Sequence, residues 1–145
     1  MAHLLGGVVH VVTIEPDHDD GPERSGNTEV RWRRSNLSDK EFAKRSIQIS
    51  LAGPAAEMIY SGDPFHPGLV PEWAADWQDA WQAAAVLHAD ERKRLEYLEA
   101  VSIRVYHQFR RDEIWDVLAA VADHLLAHET LEREEFAEIM GELLD

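Results

Sequence analysis

No cysteine occurs among the 145 residues. Disulfides are therefore excluded, as is any metal site built on thiolates, so a metal ion bound here must be held by histidine, aspartate or glutamate. Positive charge is scarce: 14 Lys and Arg stand against 28 Asp and Glu, a formal net charge of −14. The acids are spread along the chain and not gathered in a tail. This balance argues against nucleic acid and against an anionic membrane surface as partners, and makes a DNA-binding regulator the weakest reading. No apolar run approaches the roughly 20 residues that span a bilayer. The start "MAHLLGGVVHVV" lacks the charged opening and small-residue cleavage site of a secretory signal. A soluble, cytoplasmic chain is expected. Internal repeats and low-complexity segments are missing, and so is a glycine-rich phosphate loop ending in Gly-Lys-Ser/Thr, which excludes an ATPase of that kind within these residues.

The length suits one domain with a substantial core, read as a β and loop portion over 1–37 and a helical portion over 38–145. "GVVHVVTI" (7–14) is a β-branched run, and "TEVRWRR" (28–34) alternates so that Val30 and Trp32 share a face; a small hairpin or sheet edge follows. The proline, glycine and acid content of "EPDHDDGPERSGN" between them is loop composition. "SDKE" is a capping box that opens a helix at Ser38, with Glu41 at its third position, running to about Tyr60. Gly53 and Pro54 fall in its middle, and the small residues Ala52, Gly53, Ala55 and Ala56 predict close approach of another backbone. After the loop "SGDPFHPG" (61–68), Pro71 opens a second helix over 71–88. The remainder reads as two or three amphipathic helices. The fold class is mainly α, an α+β chain whose β part is a small N-terminal hairpin.

In the second helix, "EWAADWQDAWQ" spaces three tryptophans four residues apart. At about 100° per residue, Trp73, Trp77, Trp81, Ala84 and Ala85 share one face, and Ala80, Ala83 and Leu87 widen it. Asp76 falls inside that apolar arc, whereas Gln78, Asp79 and Gln82 lie outside it. A carboxylate on a buried face needs a partner, because burying an unpaired charge costs several kcal/mol; an arginine, a backbone N–H or a metal ion would each serve. The tryptophan stripe itself is most simply core.

The order "LAGPAAEMIYSG", a loop, "AADWQDA", then a helical stretch with "HETLEREEF" resembles the peptidase domain of FtsH-type ATP-dependent zinc metalloproteases across nearly the whole chain. In that family a glycine- and alanine-rich helix precedes a segment whose aspartate is the third zinc ligand. The resemblance implies that Asp76 is that ligand. It implies further that Glu57, in the Ala-Ala-Glu run, stands close behind the metal and orients a ligating histidine. "GGVVHVVTIEP" is similar to the family's strand after the catalytic helix, and "HETLEREEF" to its helix-to-helix corner. The implied activity is zinc-dependent peptide-bond hydrolysis on a protein or peptide substrate.

Such enzymes carry His-Glu-x-x-His on a helix, two imidazoles for the metal and a glutamate as base for its water, and these residues contain no such motif. By the resemblance "MAHLLGG" is similar to the end of that helix, with His3 one residue beyond the second ligand. Two readings stay open: the start lies downstream of the true one, or the helix has been lost. Zinc is expected in an intact form and not in this chain, which is then either a peptidase domain short of its site or a non-catalytic interaction or regulatory module. In either case the surface at Gly53–Ala56 would be covered by self-association or by a rearranged N-terminus.

Other candidates are weaker. "HLLAH" places His124 and His128 at i and i+4, a metal-capable spacing, but Ala127 stands where the inverted zinc motif needs glutamate. The two are expected on a solvated face opposite Leu118, Val121, Leu125 and Leu126. His18 sits in an acidic loop without calcium-loop spacing. His66, in the loop before the second helix, is read as loop structure first and as cleft lining, with Trp73, second.

Overall fold

The computed structural model describes residues 1–15, 27–33, 37–62 and 71–144, the side chains of 72 and 142–144 excepted. Three antiparallel strands and five α-helices are formed among them, so the fold is mainly α with a small sheet, in agreement with the sequence. In chain order these are β1 (Val8–Thr13), β2 (Asn27–Arg31), α1 (Asp39–Ser61), α2 (Ala74–Ala84), α3 (Glu91–Phe109), α4 (Asp112–His128), β3 (Thr130–Glu132) and α5 (Arg133–Leu144). The chain divides into two compact units, Arg33–Arg111 (with Met1) and Ala2–Trp32 together with Asp112–Asp145. The helical portion is thereby shared between both units, and the N-terminal strands belong with the last two helices.

The first unit is built on α1. Its start is the capping box read from the sequence: Glu41 N–H donates to Ser38 Oγ and Ser38 N–H to Glu41 Oε2, both at 3.1 Å. It ends at Gly62, whose φ of 79° lets its N–H reach the Met58 carbonyl, the left-handed cap that glycine adopts without strain. Ala43, Ile47, Leu51, Pro54, Ala55 and Met58 form its buried stripe, at the three- and four-residue intervals that keep one helix face inward. Pro54 withholds an N–H from the helix, but its ring is fully buried and fills the core. α3 contributes Leu98, Val101, Val105 and Phe109, packed on α1, and α2 contributes Ala80 and Ala84.

The second unit carries the sheet, in the order β2-β1-β3. β1 pairs with β2 through a register shift between Val9 and Val11, so the paired alternation is broken once. Val30 and Trp32 do share a face: a Cβ on Gly7 would stand 2.7 Å from Val30 Cγ1 and 3.0 Å from the Trp32 ring. Only glycine fits under them. Val9, Val117, Phe136 and Met140 make the core, with Val12, Val30 and Val121 against it. β3 was not expected. "HETLEREEF" reads as a corner between helices, yet Thr130–Glu132 pairs with Thr13–Val11 of β1. Glu129, with φ 64°, turns the chain out of α4; its N–H reaches the Leu125 carbonyl and its own carbonyl accepts from Ile14 N–H.

Candidate functional site

The site lies in the first unit, where α1 and α2 pack together. Pro71 opens not α2 itself but a single 3-10 turn, Pro71–Trp73, and the α-helix begins at Ala74. This turn fixes Trp73 at the amino end of α2. Trp73 is 6% exposed, and its indole N–H donates a 2.7 Å hydrogen bond to Glu57 Oε2 on α1. The tie holds one oxygen of Glu57 at the helix pair and leaves the other for a further partner.

The inward face of α2 is centred on Trp73, Ala80 and Ala84, with Trp77 and Trp81 half-buried at its edge and Ala85 exposed. The tryptophan stripe is thus core at its first member and margin at the other two; Trp81 is covered from outside by the Arg94 guanidinium, 4.8 Å from the ring centre. Gln78, Asp79 and Gln82 are exposed as expected, and Asp76 is half-buried. Among the described residues, no other backbone comes close to Gly53. The nearest atom to a Cβ built on it is Asp76 Oδ2, at 3.9 Å, an ordinary contact. The small residue faces a carboxylate.

Asp76 sits in the first turn of α2, where the helix amides favour a negative charge. The balance is nevertheless unfavourable. Partial burial first, then the Asp79 and Glu57 carboxylates, hold Asp76 above the ordinary aspartate range. No cation and no hydrogen-bond donor is paired with it among the described residues. The sequence reads Asp76 as a carboxylate on the apolar arc of α2; the structure has it half-buried and adds Glu57 as an electrostatic neighbour from the facing helix. The Trp73–Glu57 bond is the feature that sequence reasoning missed. It joins positions 16 apart across two helices, and no local pattern signals it.

Two carboxylates do not make a zinc site. Zinc takes three or four nitrogen, sulfur or oxygen ligands, with imidazole prominent, and among the described residues no three His, Asp or Glu side chains are grouped to hold a metal ion. His3 packs its ring edge-on against Phe136, centroids 5.7 Å apart, in the second unit. His66 lies outside the described residues. The donor set at Asp76 therefore does not fit zinc by itself, and no hydrolytic step follows from it. Among the described residues, no helix is long and apolar enough to cross a membrane. Comparison with known protein families and with curated proteins gives no match to this chain.

Proposed function

We propose that these residues form a peptidase-like domain of the FtsH type, in which Asp76 is the carboxylate contribution to a divalent metal centre whose imidazole pair no His-Glu-x-x-His motif of these residues supplies. The observation that supports this reading is the state of Asp76: half-buried, faced by Gly53, crowded by two carboxylates and without a positive partner among the described residues. A carboxylate so placed is unfavourable by itself and becomes favourable once a cation arrives. Glu57, held by Trp73, is positioned to accept from the N–H of an incoming imidazole, the usual way in which a ligating histidine is oriented. The substrate class on this reading is protein or peptide, the ion is zinc, and the compartment is the cytoplasm.

The experiment is a peptide-hydrolysis assay on the chain, on a form extended upstream as the genome encodes it, and on the extended form with Asp76→Ala. The reading requires zinc-dependent hydrolysis in the extended form alone, abolished by the substitution. Activity in the extended form that survives Asp76→Ala would overturn the assignment of Asp76.

A second reading is favoured by one observation: among the described residues no imidazole is grouped with the two carboxylates to hold a metal ion. On it, the domain is a non-catalytic interaction module, able to self-associate. Its partner would meet the exposed Gly53 and Glu57 side of α1, since Trp73 is already buried. An extended form that binds no zinc but co-elutes with a protein partner or a second copy in size-exclusion chromatography would select this reading.

A further inference from the structure

Acids are spread along the chain, but bases are not. The first unit holds 11 of each and is formally neutral, whereas the second holds 17 acids and 3 bases, so the whole net charge of −14 falls on the second unit. Most of it lies on α4, β3 and α5, because residues 112–145 contain 11 acids and a single base, Arg133. Arg133 is exposed and has no ion-pair partner among the described residues. Charge of one sign at this density repels itself and destabilises a compact unit, and a cationic ligand relieves that repulsion.

Within this unit a groove of about 630 Å³ lies between the end of α4 and α5. Its floor is apolar: Leu131 is 1% exposed and Ile139 7%. Its walls are His124 and His128 on α4 and Glu135 and Glu138 on α5, all exposed. Thr130 lines it too, but its hydroxyl is already shared with that of Thr13 at 2.8 Å. No lysine or arginine stands in the lining. Glu135 accepts a single 3.4 Å bond from the Glu132 N–H, and Glu138 has no hydrogen-bond or ion-pair partner among the described residues. No three of these groups are gathered to hold a metal ion, so the negative charge of the walls answers to a larger cation.

The lining matches one kind of side chain. Lysine and arginine lay an apolar stem along apolar surface and carry the charged head out toward a counter-charge. Here Leu131 and Ile139 lie beneath the stem, and two carboxylates stand beside the head. An arginine gains further, since a planar guanidinium stacks on ring faces and pairs with a carboxylate through two parallel bonds. Nucleic acid is repelled, and a second copy of this unit brings the same negative charge.

We propose that the α4–α5 groove docks a basic segment of a partner protein, seating an arginine or lysine side chain between the histidines of α4 and the carboxylates of Glu135 and Glu138. The site lies wholly in the second unit and does not rest on the reading of Asp76.

The test is titration of the ¹⁵N-labelled chain, followed by chemical-shift mapping, with the capped peptide acetyl-Gly-Arg-Gly-Arg-Gly-Arg-Gly-amide. The same peptide with citrulline for arginine, and spermine as a cation without a peptide backbone, run beside it. Saturable shifts should centre on residues 124–139, and the citrulline peptide should cause none. Glu135→Gln combined with Glu138→Gln should weaken binding about fivefold or more. Glu29→Gln combined with Asp116→Asn removes the same charge from the same unit outside the groove, and should weaken binding less than about twofold. All four positions are exposed, and unchanged circular dichroism will show that the variants fold. Equal losses in the two double variants would mean a diffuse attraction and no site. That result, no saturable binding, equal binding of the citrulline peptide, or spermine binding more tightly than the peptide at the same residues would each overturn the proposal.

Discussion

Replacing Trp73 by phenylalanine tests the contact that organises the α1–α2 site. The variant keeps an aromatic ring in a position that is 6% exposed but loses the indole N–H that donates to Glu57 at 2.7 Å. A hydrogen bond to a charged acceptor contributes about 1.5–3 kcal/mol when well shielded. Glu57 is exposed, so water replaces much of what is lost and about 1 kcal/mol is the fitting figure. The smaller ring gives up roughly 40 Å² of buried apolar surface, about 1 kcal/mol at 25 cal/mol per Å². The total destabilisation expected for Trp73→Phe is about 2 kcal/mol. A double-mutant cycle with Glu57→Ala separates the two parts. Removing Glu57 also relieves its repulsion of Asp76, but that relief is common to both legs and cancels in the coupling energy. Urea unfolding followed by far-ultraviolet circular dichroism, chosen because the substitution alters tryptophan fluorescence, should give a coupling of about 1 kcal/mol. A coupling below about 0.3 kcal/mol, within the additivity of independent sites, would refute the claim that Trp73 holds Glu57.

Asp76→Asn should stabilise the protein at neutral pH. Because the folded state holds the Asp76 carboxyl above its ordinary value of 3.8, the folded state binds that proton more tightly than the unfolded one. Stability from this group is therefore complete below that value and is lost as pH rises through the folded value. The advantage of the asparagine variant over the parent, measured by urea unfolding at several pH values, should vanish in acid and grow on going up through that window; an advantage that grows toward acid would contradict the assignment. Glu129→Gly should raise the melting temperature, since glycine relieves a left-handed φ of 64° whose strain is about 1 kcal/mol. Leu98→Ala, at a fully buried position of α3, should cost about 2–5 kcal/mol in chemical denaturation, and a loss near zero would mean that α3 is not packed on α1 as described.

What the sequence makes legible is local. Ser38 and Glu41 are three residues apart, so both bonds of the capping box are written in one tetrapeptide, and Gly62 closes the same helix by its own conformational freedom. The apolar arc that catches Asp76 is likewise a property of one helix, although its centre sits at Ala80 and Ala84 and not at the later tryptophans, because small residues let α2 approach its neighbours. What the sequence hides depends on distant partners. Thr130–Glu132 is too short to announce itself and becomes a strand only through β1, more than a hundred residues earlier. Gly53 is read as a site of backbone approach, yet it meets the Asp76 carboxylate from another helix. Leu126, expected on the buried side of α4, is 77% exposed; no contact in the structure accounts for it. The pairing of Glu57 with Trp73 needs the fold before it can be seen.

The most direct measurement is zinc content by mass spectrometry of untagged protein, for the upstream-extended form and the same form carrying Asp76→Ala. Dialysis against excess zinc should leave one more tightly held ion per chain in the extended protein than in the Asp76→Ala form. Equal zinc in the two, or none in either, would contradict the assignment of Asp76 as a metal-binding carboxylate.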